Sequence, residues 1–165
     1  MSDFLNPQKI IKKLFLKDGM IIADFGCGSG GWVIPLAKRV KNGRIYAVDV
    51  LEEALSALRS KAEFERVYNA YTLRADVERG TDIPANHLDL VILSNILFQA
   101  EDKIAIISEA HRILKEGGRI IVVDWKISPN DEEKIIDKKI KQSGFVKVRE
   151  IDAGKSHFAT LYEKK

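Results

Sequence analysis

Cysteine is nearly absent from the sequence, which has Cys27 alone among its 165 residues. A single cysteine cannot form an internal disulfide, and it leaves no thiolate cluster for a structural zinc site. We therefore expect no bound metal, and a protein that works in a reducing compartment.

Long apolar segments are also missing. No hydrophobic run approaches the roughly 18–20 residues that a membrane-spanning helix needs. The opening residues, MSDFLNPQ, lack the basic and apolar regions of a signal peptide. These absences predict a cytoplasmic protein without a membrane span.

Charge of one sign is not concentrated anywhere. The 27 basic and 24 acidic residues leave a net charge of +3, and they are interspersed along most of the chain. Nucleic-acid binding normally requires a basic stripe, so nucleic acid is a disfavoured partner. The length suits one domain over residues 1–165, and nothing indicates an oligomeric state.

Strand and helix patterns alternate along the chain. Asn6 before Pro7 predicts a capped helix that ends near Lys17–Gly19. Short apolar runs predict strands at 20–25, 45–48, 71–75, 88–93, 119–125, 145–151 and 157–164. Helical periodicity predicts helices at 32–40, 51–62, 101–115, with Gly117 and Gly118 as its stop, and from Ser128 to Gly144.

The order of these elements predicts an α/β fold. Alternating strands and helices indicate a mostly parallel sheet with helices on both faces. The last two strands are separated only by residues 152–156, which is too short for a parallel crossover. We therefore expect an antiparallel pair at the end of the chain.

The glycine-rich segment DFGCGSGG, residues 24–31, lies where the first strand turns into a helix. Glycines there permit positive φ and let a ligand approach the backbone, while the helix N-terminus favours a carboxylate or phosphate. Asp49 ends the second strand and is placed to accept hydrogen bonds from both hydroxyls of a ribose. Together these features predict a ligand that contains a nucleoside.

The same glycines satisfy G-x-G-x-x-G as Gly26, Gly28 and Gly31, so a dinucleotide-binding oxidoreductase is an alternative. Three features disfavour it. Asp24 would place a negative charge beside a pyrophosphate, the chain has no room for a substrate domain, and the terminal strand pair does not match a second mononucleotide-binding half.

Five ordered motifs resemble those of class I S-adenosylmethionine-dependent methyltransferases of the small single-domain type, related to ubiquinone and menaquinone biosynthesis methyltransferases. They are ADFGCGSGGW (23–32), YAVDV (46–50), LRADVE (73–78), LDLVILSNILFQ (88–99) and EAHRILKEGGRIIVVDW (109–125). The resemblance implies a Rossmann-like sheet of seven strands in the order 3-2-1-4-5-7-6, with strand seven antiparallel. It also implies methyl transfer from S-adenosylmethionine to a small-molecule acceptor.

The resemblance also implies roles for individual residues. Asp24 would face the methionyl amino group, and Asp49 would hold the ribose. The residues expected around the remaining cofactor atoms are Phe25, Gly26, Cys27, Gly28 and Gly30 at the methionine portion, Val50 and Leu51 at the adenine face, Asp76 and Val77 at the adenine edge, and Ser94 at the methyl donor.

The acceptor side is less defined. Asn95 and His157 are the nearest candidates for a catalytic base or orienting group by strand topology. Strand four ends in Ser94–Phe98 and not in an N-P-P-Y type motif, which disfavours methylation of a base amino group. A non-catalytic cofactor-binding domain, or an RNA or protein methyltransferase, remains an alternative.

Several of these residues also have purely structural explanations. Asp49 could cap the helix that follows it, and Asp76 could be a solvated loop acid. Cys27 is better explained as a small packing residue than as a nucleophile. His87 and His111 are interpreted as structural or solvated residues.

Overall fold

The structure, a computed structural model, describes residues 4–126 and 131–165. The helices are α1 (Pro7–Ile11), α2 (Val33–Arg39), α3 (Glu52–Phe64), α4 (Lys103–Ile113) and α5 (Glu132–Gln142). The strands are β1 (Ile21–Phe25), β2 (Arg44–Asp49), β3 (Ala70–Arg74), β4 (Leu88–Ser94), β5 (Leu114–Trp125), β6 (Phe145–Ile151) and β7 (His157–Lys164). No helix in these two ranges is long and apolar enough to cross a membrane.

The strands form one sheet in the order β3-β2-β1-β4-β5-β7-β6. β1 to β5 pair in parallel, whereas β7 runs antiparallel to both β5 and β6. The predicted strand order and the antiparallel last strand are therefore confirmed.

Helices cover both faces of the sheet, as predicted. Alternation along β1 places Ile22 in a core formed with α1, α2 and α3, and places Ala23 in a second core formed with α4 and α5. Because both faces are covered, β1 and β4 are almost entirely apolar, as expected of parallel strands.

The first helix is shorter than predicted. Asn6 caps it as expected, with its side-chain oxygen accepting from the Lys9 amide at 3.3 Å. The helix ends at Ile11 and not near Lys17, because the Lys13 and Leu14 amides bond to carbonyls only three residues back. Leu14 is still buried, but it reaches the core from this tighter turn.

The predicted stop of the fourth helix was wrong. The helix ends at Ile113, and Gly117 and Gly118 lie within β5. Leu88 pairs with Leu114 while Leu90 pairs with Arg119, so the intervening residues bulge out of the strand pair. Gly117 has a φ of +73° in this bulge, which explains the glycine there.

The predicted start of the last helix, Ser128–Pro129, lies outside the described residues. The described part of that helix, α5, ends at Gln142, close to the predicted stop at Gly144.

An ion pair between exposed Arg112 and buried Glu109 links α4 to the loop before β4. The Glu109 carboxylate accepts from the Thr81 amide at 2.8 Å and from Arg112 Nε at 2.8 Å. Arg112 also donates to the carbonyls of Thr81 and Ile83. This arginine belongs to the R-x-L-x-x-G-G segment, so part of that motif has a structural role here.

We expect Arg112→Ala to lower the free energy of unfolding, because Glu109 would keep a buried charge with fewer partners. The Arg112 side chain is 41% exposed, so solvent screens part of the interaction and the loss should lie in the lower part of about 1.5–3 kcal/mol. Urea unfolding measures it. Lys134→Ala, which breaks an exposed pair with Asp131, is the control and should cost less than about 0.5 kcal/mol. Equal losses of unfolding free energy in the two variants would show that the Arg112–Glu109 pair contributes no more than an exposed ion pair.

Candidate active site

Asp24 is a buried acid in β1, between β2 and β4 of the sheet. It lies near the end of β1, is only 1% exposed, and neither carboxylate oxygen has a hydrogen-bond partner among the residues the structure describes. Burial, and after it the nearby charge of Asp49, raises the pKa of Asp24 well above its usual range. An ammonium group or another hydrogen-bond donor placed beside this carboxyl group would lower its pKa again.

The glycine turn after β1 is folded back onto β2. The amides of Gly26 and Cys27 both donate to the Val48 carbonyl, at 2.8 and 3.0 Å. Gly26 and Gly28 have φ values of +73° and +53°, which side chains rarely adopt. At Gly26 and Gly28 the turn therefore presents backbone atoms, without a side chain, to solvent and ligands.

Phe25 at the end of β1, and Cys27 and Gly30 in the turn, have roles in packing. The side chain of Phe25 is fully buried in the core on the α4 side. A Cβ at Gly30 would overlap Leu58 Cδ1, so Gly30 allows the turn to pack on α3. Cys27 is buried, and burial raises the pKa of its thiol to about 12, which keeps it protonated and supports the packing interpretation.

Asp49 links the ends of β1 and β2. Its Oδ2 accepts from the Gly28 amide and its Oδ1 accepts from the Leu51 amide, both at 3.0 Å. The second contact lies just before α3, so Asp49 also organises the entry to that helix. The structural alternative for Asp49 therefore has support, and it does not compete with a ligand role because each oxygen has a further lone pair.

A cleft of about 460 Å³ lies beyond the carboxyl ends of the central strands. The predicted residues that line it are Gly26, Gly28, Asp49, Val50, Leu51, Asp76, Val77, Ser94 and Asn95. Asp24, Phe25, Cys27 and Gly30 do not line it, and His157 lines a different cavity.

The cleft is acidic. Asp49, Asp76, Glu78 and Glu101 line it, and no lysine, arginine or histidine does so in the described part of the chain. Asp76 is held by an Asx turn in which its Oδ1 accepts from the Glu78 amide at 3.0 Å. This charge favours a cationic ligand and disfavours a diphosphate.

Asn95, which lines the cleft, is in contact with His157. His157 Nε2 lies 2.9 Å from Asn95 Oδ1, and its Nδ1 lies 3.0 Å from the Ser156 hydroxyl. His157 is 2% exposed, and its ring packs against the Trp125 ring at a centroid distance of 4.1 Å. The two candidates from the acceptor side are thus brought together, with Asn95 lining the cleft and His157 lining the other cavity.

Asn95 has an unusual backbone. Its φ is +54°, its amide donates to the Val123 carbonyl at 2.8 Å, and its own carbonyl accepts from Gln99 Nε2 at 3.1 Å. A left-handed conformation is less costly for asparagine than for most residues. Hydrogen bonds on both its amide and its carbonyl therefore fix the backbone of Asn95, which lines the cleft.

Sequence reasoning missed two acids that shape this site. Asp124 is fully buried and accepts from the amides of Phe98 and Trp125, at 3.1 and 2.9 Å, which holds the loop after β4. It is an acid near the end of a buried strand, as Asp24 and Asp49 are, and that pattern could have identified it. Glu78 accepts from the Asp102 amide at 2.9 Å and closes one side of the cleft, with no sequence signal of its own.

His87 and His111 lie away from the cleft. His87 Nε2 is 3.5 Å from the Tyr46 hydroxyl, and His111 packs edge-on against the Phe145 ring. Both histidines therefore make packing contacts away from the cleft, as expected of structural residues.

Known proteins share this fold and part of this sequence. A demethylmenaquinone methyltransferase from Lactococcus lactis is 26% identical over 117 residues, which cover 70% of this chain and 46% of that protein. The chain spans about half the length of the curated relatives of this kind.

Solved structures extend the likeness to nearly the whole chain. A SAM-dependent methyltransferase from Aquifex aeolicus superposes with a TM-score of 0.86 at 23% identity, covering 98% of this chain and 90% of that one. The cyclase SpnF superposes with a TM-score of 0.84 at 14% identity, covering 96% and 79%. These two likenesses establish the fold.

The family is established by sequence. The profile of the methyltransferase domain matches residues 22–118, from β1 through the glycine turn and the strand-end acids to the bulge of β5. Because this match covers more than half of the chain, the protein belongs to the methyltransferase domain family.

Proposed function

We propose that the cleft binds S-adenosylmethionine and that the chain transfers its methyl group to a small-molecule acceptor. The observation that carries the proposal is the buried Asp24 carboxylate, to which none of the residues that the structure describes donates a hydrogen bond. Burying an unpaired carboxylate is costly, and an ammonium group beside it would offset that cost. The methionine portion of the cofactor carries such a group.

The charge of the cleft supports the same ligand. S-adenosylmethionine has a sulfonium and an ammonium against one carboxylate, so it is cationic overall. Four acids line the cleft and no basic residue does so in the described ranges. A nicotinamide dinucleotide would bring a doubly charged pyrophosphate to these acids, which argues against the oxidoreductase alternative.

The remaining contacts follow from the strand ends. Asp49 would accept from the ribose hydroxyls while it keeps the Gly28 and Leu51 amides. Val50 and Leu51, which are half exposed, would cover the adenine face. Asp76 and the Val77 amide would meet the adenine edge, and Ser94 would border the methyl donor.

The cofactor supplies an activated methyl group, so the protein mainly has to align donor and acceptor. Alignment alone is worth roughly 7–11 kcal/mol in well-oriented systems. Asn95 is the residue placed to do this, because its Oδ1 is engaged by His157 while no described residue bonds to its Nδ2. That amide would donate to the acceptor.

His157 would act through Asn95 as a positioning residue. With Nε2 donating to Asn95 Oδ1, Nδ1 accepts from the Ser156 hydroxyl, which is the neutral tautomer. Burial, and after it the charge of Lys126, lowers the pKa of His157 below its usual value and so favours this neutral form.

The curated relatives support a small-molecule acceptor, since they are named for methylation of demethylmenaquinone. The predictions of a cytoplasmic location and of a single domain stay predictions.

Calorimetric titration tests the cofactor. We expect S-adenosylmethionine and S-adenosylhomocysteine to bind more tightly than NAD. Asp24→Asn should weaken binding of S-adenosylmethionine by about tenfold to a hundredfold, since bonds to charged groups are worth about 1.5–3 kcal/mol.

The same variant should stabilise the cofactor-free protein. The raised pKa means that Asp24 costs stability as the pH rises above about 4, where the unfolded chain releases this proton. The control is Asp82→Asn, since Asp82 is an exposed acid outside the cleft. This variant should change neither the affinity for S-adenosylmethionine nor the free energy of unfolding. Wild-type affinity in Asp24→Asn would remove Asp24 from the site, and tighter binding of NAD would overturn the cofactor assignment.

Methyl transfer should depend on Asn95 and His157 without a change in cofactor affinity. We expect Asn95→Ala and His157→Gln to lower the turnover of S-adenosylmethionine over a fractionated metabolite extract by about a hundredfold, because small misplacements of reacting groups cost that much. Equal turnover in both variants and the wild type would show that the acceptor approaches elsewhere. The absence of turnover in the wild type with every fraction would favour a non-catalytic domain.

His157 should also make stability depend on pH. Because its pKa is lowered in the folded state, its contribution is present above about pH 6.5 and is lost as the pH falls below that value. Urea unfolding from about pH 8 to pH 5 should show a steeper loss for the wild type than for His157→Gln, which cannot take up the proton. Parallel curves would mean that the ring is protonated as readily in the folded protein as in the unfolded chain.

A further inference from the structure

We propose that a basic groove between α1 and the β6–β7 loop binds an anionic oxygen group, a phosphate or carboxylate, carried by a soluble methyl acceptor. The inference rests on the proposed function and adds the substrate class to it. The groove has a volume of about 430 Å³ and is separate from the cofactor cleft.

The groove gathers cations from both ends of the chain. Lys9, Lys12 and Lys13 come from the N-terminal segment and Lys155 comes from the β6–β7 loop. Asp152 is the one acid in the described part of its wall. The four lysines therefore far outweigh the local negative charge.

Within residues 4–126 and 131–165, these lysines form no ion pair, unlike many other surface lysines. No described carboxylate forms an ion pair with any of the four. Elsewhere, ion pairs with acids engage Lys38, Lys103, Lys115, Lys134, Lys141 and Lys147. A cluster of like charges repels itself, and an anion in the groove would relieve that repulsion.

Two further cations lie at the edge of the groove. The Arg149 guanidinium donates to the Lys13 carbonyl, and Lys126 Nζ donates to the Gly154 carbonyl at 3.2 Å. The Gly154 amide, and after it the charge of Lys13, lowers the pKa of Asp152, with smaller effects from Lys126 and Lys9. The positive field thus extends across the whole groove.

The groove adjoins a second cavity that extends to His157. Asp152 and Ala153 line both the groove and this second cavity of about 370 Å³, whose wall includes His157. His157 in turn bonds to Asn95, which lines the cleft. In this proposal the acceptor keeps its anionic group among the lysines and extends through the second cavity towards His157 and its partner Asn95.

The charges around the groove favour a small molecule over a polyanion. Glu133, Glu150 and Asp152 line the second cavity, so an extended nucleic-acid strand leaving the groove there would meet three carboxylates. Phe4, which is 85% exposed, adds an apolar wall to the groove. The acceptor that fits is a small molecule with an apolar body and an acidic group.

Pyrophosphate is the probe for this site. We expect saturable binding by the wild type in calorimetry or amide NMR at constant ionic strength. Lys12→Gln/Lys155→Gln should weaken that binding by about tenfold, because it removes two of the four charges. The matched control, Lys61→Gln/Lys138→Gln, changes the net charge equally at two exposed lysines outside the groove and should bind as the wild type does.

Affinity for S-adenosylmethionine is measured on the same three proteins and should be equal in all of them. If the wild type binds pyrophosphate but not S-adenosylmethionine, the proposed function is wrong. The groove would then remain an anion-binding site without a role in methyl transfer. Equal pyrophosphate binding by the groove variant and the control would overturn the groove assignment. Tighter lysine-dependent binding of a single-stranded oligonucleotide, or of vesicles that contain phosphatidylglycerol, would also overturn it in favour of a macromolecular or membrane ligand.

Discussion

The parallel pairing of β1 with both of its neighbours is the constraint on which the site depends. Asp24 is paired with Ala47 of β2 and with Ile92 of β4, so it lies in the middle of the sheet with strands on both sides. That position removes its carboxylate from water and leaves it without a partner among the described residues. It also brings the carboxyl ends of β1, β2, β3 and β4 to one edge, where the acids that follow them form a single cleft.

The antiparallel strand β7 provides the other half of the site. Its register places His157 opposite Trp125, at the end of β5. The Asn95 amide bonds to Val123 of the same strand, so the residue after β4 and the first residue of β7 meet across β5. A parallel β7 would carry its first residue to the opposite edge of the sheet, away from the cleft.

Charge divides the carboxyl edge of the sheet into two regions. The cofactor cleft is acidic, and the groove beside α1 is basic. A cationic methyl donor would be attracted to the acidic cleft and repelled from the basic groove. The opposite would hold for an anionic acceptor. Four acids line the cleft, and four lysines with one acid line the groove, so the overall net charge of +3 does not reveal this division.

The sequence alone determined the fold and most of the cleft, because those features depend on local order. Apolar runs located the strands, and the positions of Asp24, Asp49, Asp76 and Asn95 after or near strand ends located the cleft. Helix ends were less predictable, since Gly117 and Gly118 suit a strand bulge as well as a helix stop. Only the tertiary structure decided which distant residues meet: the bond of Asn95 to His157, the role of Asp124 behind the loop, and the gathering of Lys9, Lys12 and Lys13 with Lys155. These contacts join residues far apart in the chain, and neither periodicity nor the local spacing of charges carries information about them.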